Sequence, residues 1–208
     1  MRTSVSGQNV VRLDPSRGSL RPAAADIVIA MLVLVVVETM MFVGMVSAFL
    51  LTRAAAGGVW PPDGQPWFPW GETILNTAAL LASGALVFRA GRAWRNPEAR
   101  VGPLLLAAIA LGAFFLFFQG VVWVGLIRGG LELTSSHHGW FFCLIVGMHA
   151  ATAVGALAFL SFAWLRLKPF RDDVHPHGSL SSGTFSAARI LWYFAVGTWP
   201  VLCLFLYL

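Results

Sequence analysis

The sequence predicts an all-α membrane protein, a polytopic helix bundle with five transmembrane helices, its N-terminus inside and its C-terminus outside. Three observations predict it. Of 208 residues, 58% are hydrophobic and only 11% charged, whereas soluble domains carry roughly a quarter charged residues. The mean hydropathy of +0.76 agrees. Five apolar stretches are each long enough, or nearly so, to cross a bilayer. The basic residues cluster alternately at the ends of those stretches.

A bilayer core about 30 Å thick takes about 20 residues of helix. The five stretches are 27–52, 73–88, 103–127, 139–165 and 190–208. The second is short unless it begins near Gly71. All five are continuous apolar runs, far longer than the roughly 10-residue alternating strands of a membrane barrel. No internal repeat and no soluble second domain is visible, so residues 25–208 are read as one transmembrane domain. Residues 1–24 carry Arg2, Arg12, Arg17 and Arg21 but no apolar core. They are read as a polar tail and not as a cleaved signal peptide.

Orientation follows from the lysine and arginine count. The tail holds four. Arg89, Arg92, Arg95 and Arg100 follow the second stretch, and Arg166, Lys168, Arg171 and Arg189 follow the fourth. The other two loops hold Arg53 and Arg128 alone. The alternation matches five crossings, with the tail on the basic, inner side. It also disposes of nucleic acid as the reason for the net charge of +5. The first outer loop holds Trp60, Pro61, Pro62, Trp67, Pro69 and Trp70. Proline blocks regular pairing and tryptophan favours the headgroup zone, so this loop is expected on the outer membrane surface.

Polar groups inside the spans are the candidate functional residues. Glu38 lies near the middle of the first stretch. A lone intramembrane carboxylate costs several kcal/mol if charged, so Glu38 should face protein or water and be protonated or paired. Two readings stand: a proton- or ion-handling group, or a neutral glutamate bonded to a neighbouring helix. His149 lies about ten residues into the fourth stretch, and at 1.5 Å per residue its depth matches that of Glu38. The two are expected near each other. His149 is either proton-related or the partner of an interhelical hydrogen bond. Asn76, Thr77, Ser83 and Gln119 can also bond across helices, and the glycines read as close helix contacts.

No metal site is expected. His137 and His138 lie about 17 Å along a helix from His149, and His175 and His177 belong to an inner loop. Cys143 and Cys203 sit in apolar runs without a CxxC spacing and read as small hydrophobes. Nucleotide-binding glycine loops and nucleophile elbows are absent.

Several segments, in order from about residue 27 to the end, resemble subunit III of the haem-copper oxidases, the family that includes cytochrome c oxidase and quinol oxidase. Glu38–Phe49 reads ETMMFVGMVSAF, with Phe42, Gly44, Ala48 and Phe49 in the family's register. Trp60-Pro61-Pro62-x-Gly64 precedes Leu75-Asn76-Thr77 and Leu80-Leu81-Ala82-Ser83-Gly84, the most specific match. Gln119 ends an aromatic run. Phe141-Phe142, Gly147-Met148-His149 and Leu191-Trp192-Tyr193-Phe194 with Trp199 complete the series. The departures are definite. The family's G-x-H-x-x-H-V has Thr152 in place of its second histidine, and Gly155 falls one position early. Y-W-H-F-V-D becomes Leu191-Trp192-Tyr193-Phe194-Ala195-Val196, and an acidic position after the glutamine becomes Val122. The chain resembles a divergent member of the short, five-helix bacterial form, without the first two helices of the seven-helix form.

The resemblance implies a non-catalytic subunit of an oxygen-reducing complex in a bacterial cytoplasmic (inner) membrane. Such a subunit holds no cofactor. It packs on subunit I, which carries haem and copper, with subunit II as a further partner. It stabilises subunit I during turnover, supports proton uptake and binds phospholipid. Glu38 inherits the position of a carbodiimide-reactive glutamate. Arg166 and Lys168 loosely match basic positions that contact lipid phosphate, which suits the charge and reach of such residues at the headgroup level. Two other readings stand beside it: a similar partner of a nitric oxide reductase, and an independent proton-coupled transporter, against which the missing inverted repeat argues.

Overall fold

The computed structural model describes residues 23–57, 70–96, 100–131, 137–167 and 180–207. Residues 1–22 of the polar tail, the tryptophan-proline loop before Trp70, and Lys168, Arg171, His175 and His177 lie outside the described residues, while Ala23 and Ala24 belong to the first helix rather than to the tail. Secondary structure among the described residues is entirely helical: α1 (Ala23–Ala55), α2 (Trp70–Ala93), α3 (Val101–Arg128), α4 (His137–Leu167) and α5 (Ser182–Tyr207). Each is long and apolar enough to cross a bilayer, so this is a multi-pass membrane protein.

All five helices begin earlier than the hydropathy of the sequence indicates, and the extensions of α2 and α5 change its reading. α2 starts at Trp70, which at 1.5 Å per residue gives it roughly 36 Å and removes its apparent shortness. α5 starts at Ser182 rather than near residue 190. Ser181 caps it: the Ser181 hydroxyl accepts from the Thr184 amide at 3.1 Å, and the Ser181 carbonyl accepts from the Phe185 amide. One of the unpaired amides of the first turn is thereby satisfied. Arg189, assigned to a loop by its charge, therefore stands two turns inside α5.

The other helix ends follow familiar local chemistry. Pro103 falls in the first turn of α3, where a missing N–H costs nothing. α3 closes on Gly129 and Gly130, the latter at φ 97°. The Leu131 amide donates to Leu126 O and the Gly130 amide to Ile127 O. This double closure needs a left-handed residue, which glycine supplies without strain.

α2, α3, α4 and α5 form a ring in which α2 packs on α3 and α5, and α4 on α3 and α5. α1 lies outside the ring along the seam of α4 and α5, and among the described residues it packs on neither α2 nor α3. Its contact stripe is narrow. Met31, Val35, Glu38, Phe42, Met45 and Phe49 recur at alternating steps of four and three, and all are buried or half-buried, the spacing of a coiled-coil seam. Phe42 packs against Phe194 of α5 and Phe49 against Phe141 of α4. The outer face of α1 is open, with Met40 and Leu51 each more than 70% exposed. Apolar exposure on that scale fits a lipid or protein surround.

Trp192 of α5 fills the centre of the ring and is fully buried. Its indole lies against Gly112 of α3, where an added Cβ would collide with the ring and with Leu157 of α4. Gly84 of α2 approaches Val196 of α5 in the same way, an added Cβ meeting Val196 at 3.0 Å. These two glycines are close helix contacts of the kind expected in lipid. Gly44, Gly120, Gly155 and Gly197 have open space instead, so the expectation holds for only part of the glycine set.

Candidate functional site

The polar side chains inside the spans gather into hydrogen-bonded groups, each joining two or more helices. Asp26 and Glu72 sit in first turns. That leaves Glu38 as the one acidic side chain in the interior of a described helix. It sits on the α1 stripe facing α4, where the Thr152 hydroxyl donates to its carboxyl oxygen at 2.8 Å. The same hydroxyl lies 3.2 Å from Met148 O, one turn earlier on α4. A hydroxyl has one proton and two lone pairs, so it cannot donate fully to both. Glu38 makes no ion pair among the described residues.

His149 stands one turn before Thr152, at the level expected for it, but faces the other way. Its Nε2 lies 2.9 Å from Ala195 O of α5. A carbonyl only accepts, so Nε2 carries the proton. The imidazole lies against the Trp199 ring at 4.9 Å and edge-on to Phe115 at 6.1 Å. Glu38 of α1 thus meets α4 at Thr152, one turn from His149. No hydrogen bond joins Glu38 to His149: Glu38 is held by Thr152, and His149 pins α4 to α5.

The remaining intramembrane polar residues link α2 to α3 and α5. Asn76 of α2 donates to Gln119 Oε1 of α3 at 3.0 Å and to Phe115 O at 3.3 Å. Thr77 donates to Thr73 O and accepts from the Trp199 indole at 2.9 Å. Ser83 donates to Ala108 O and accepts from the Trp192 indole at 3.1 Å. A buried amide or hydroxyl left without a partner costs about 1–3 kcal/mol, and these pairs avoid most of that cost. Phe115 joins two of the groups, its ring touching His149 and Trp199 while its carbonyl accepts from Asn76.

Among the described residues no group of three His, Cys, Asp or Glu side chains could hold a metal ion. Cys143 and Cys203 are free and half-buried. Arg166 ends α4 with its guanidinium over the Phe162 ring at 5.0 Å. Lys168, the other residue expected to meet lipid, lies outside the described residues.

The arrangement is a set of polar ties between helices with one carboxyl among them, and it offers no constellation for bond-making chemistry. Comparison with known proteins then decides the family. The model of cytochrome c oxidase subunit III matches residues 16–208. The chain belongs to the cytochrome c oxidase subunit III family. Similar relatives include cytochrome c oxidase subunit 3 of Rhizopus stolonifer, 29% identical over 83% of this chain and 60% of that protein. The subunit 3 of Pelomedusa subrufa is 28% identical over 97% of this chain and 75% of its own length. That of Coturnix japonica is 30% identical over 86% and 66% respectively. The chain thus spans between three fifths and three quarters of these relatives.

Thr152 is the residue that sequence reasoning undervalued. It stands out in the sequence only as a missing histidine of the subunit III motif. In the structure it is the hydrogen-bond partner of Glu38. Its spacing, three residues after a histidine already placed at the depth of Glu38, is the signal that could have found it.

Proposed function

We propose that this subunit III is a non-catalytic, cofactor-free support of an aerobic haem-copper oxidase in a bacterial cytoplasmic membrane, with its N-terminus inside. It packs on the haem- and copper-bearing subunit I, stabilises it through turnover, and supports proton uptake through Glu38. The observation that carries the reading is Glu38 itself, an intramembrane carboxyl bonded to one neutral hydroxyl and to no cation among the described residues. A protonated Glu38 would donate to Thr152 Oγ1, whose own proton would then serve Met148 O. That gives the carboxyl proton, the hydroxyl and the Met148 carbonyl each a partner. His149 sets the spacing of α4 and α5 at the same level. Arg166, in the last turn of α4, and Lys168, two residues later in the sequence, meet phospholipid phosphate.

The test is purification through a tag on this chain. A haem-copper large subunit that reduces oxygen is expected to co-purify. A complex whose spectra and substrate are those of a nitric oxide reductase would replace the reading. So would proton-coupled transport by this chain alone in liposomes.

A further inference from the structure

Arg189, two turns into α5, lies flat against Gly91 in the last turns of α2. A Cβ at position 91 would occupy the space of the guanidinium. The guanidinium stacks over Phe185 at 5.4 Å and Tyr193 at 5.8 Å. Its Nε is buried and has no hydrogen-bond partner among the described residues. Arg92 in the last turn of α2 and Arg95 in the turn that follows it lie beside it. With Phe88 and Gly91 these three arginines line a pocket of about 420 Å³. Among the described residues no carboxylate faces it.

Three guanidinium groups are permanently charged. The C-terminal end of α2 offsets only about half an elementary charge. Stacking on aromatic rings holds a guanidinium plane but leaves its N–H groups unspent. A pocket built this way gathers positive charge that favours an anion, and the planar fork of arginine matches the oxygens of phosphate. The volume exceeds what a bare phosphate needs. Phe88, half exposed and one turn deeper than Arg92, offers an apolar wall to an acyl chain.

We propose that this pocket between the end of α2 and the start of α5 is a phosphate-binding site, filled by the phosphate of an anionic phospholipid headgroup or by a free phosphate ion. It lies on a different helix pair from Arg166 and does not depend on the role of Glu38. Arg189 is the central ligand, Gly91 admits its guanidinium, and Arg92 and Arg95 close the charge around the anion.

The test uses the full chain in the complex with which it purifies, stripped of lipid and titrated with two probes, phosphatidylglycerol in detergent micelles and inorganic phosphate. Native mass spectrometry and phosphorus NMR read the binding. Saturable uptake is expected, weakened at least about tenfold by R189Q, the equivalent of one lost charge-assisted hydrogen bond. Phosphatidylglycerol alone binding in this Arg189-dependent way identifies a headgroup. Inorganic phosphate binding identifies a free ion. G91A keeps all three charges but displaces the guanidinium, and it is expected to weaken uptake as well. If R189Q fails to assemble, the exposed R95Q takes its place, with a smaller loss in the same direction. Equal uptake by wild type and an R92Q/R189Q variant overturns the proposal, as does no uptake by wild type. A carboxylate from another subunit, or from Glu98, Asp172 or Asp173, seated on Arg189 in an experimental structure of the complex also overturns it.

Discussion

Glu38 and Thr152 form the interhelical contact on which the proposed role rests, and each can be changed with little change of volume. Glu38→Gln keeps a hydrogen-bonding side chain of the same size. It is expected to leave assembly intact while abolishing carbodiimide labelling at this position and shortening the active lifetime of the complex during turnover. Labelling at an unchanged level would remove Glu38 from the proposed role. Thr152→Val leaves the carboxyl without its described partner. A loss of about 1–3 kcal/mol is expected, read as a lower unfolding temperature in detergent, and Thr152→Ser should restore it. Glu38 was legible in the sequence because a charge stands out in an apolar run. Its partner was not, because a threonine in a membrane helix usually bonds its own backbone, as Thr39 and Thr52 do here.

At the scale of the helix, ends and crossings carry the predictions. Ser181→Ala removes the cap of α5 and is expected to cost about 1 kcal/mol. Since Arg189 rides on the first turns of α5, fraying there should be seen as faster amide exchange around residues 182–189. Gly112→Leu drives a side chain into the Trp192 indole and Leu157. Overpacking of this kind costs about 1–3 kcal/mol or more, and loss of the purified complex is expected, whereas Gly120→Leu, in open space, should be tolerated. The five helices were legible from apolar length alone. The first turns of α5 were not, because their serine, glycine, threonine and arginine read as loop until the Ser181 cap is seen. The distinction between Gly112 and Gly120 was equally hidden. Both are glycines in one apolar helix, and only the neighbouring helix separates them.

For the molecule as a whole, the alternation of basic ends predicts the orientation. In a background without Cys143 and Cys203, Gly57→Cys is expected to react with a membrane-impermeant maleimide from outside. Asn96→Cys should react only after the membrane is opened. The reverse pattern would invert the topology. The position of α1 on the α4–α5 seam came from the structure. Along α1 nearly every residue is apolar, and a helix in lipid has no polar face to mark its contact stripe. The alternating stripe from Met31 to Phe49 becomes visible only once its partners are known.

The sequence by itself determined the five crossings and the family, and set as expectations their inside and outside ends and the depth of Glu38 and His149. Each depends on residue type and distance along one chain, which apolar length and helical rise convert directly into height in a membrane. Tertiary structure decided everything that depends on azimuth: Thr152 holding Glu38, His149 turned towards Ala195, Trp192 seated on Gly112, and Arg189 laid on Gly91. Height in the bilayer is a one-dimensional quantity that hydropathy encodes. Rotation about a helix axis is set by packing among side chains that are nearly all apolar, and that pattern is written only in their shapes.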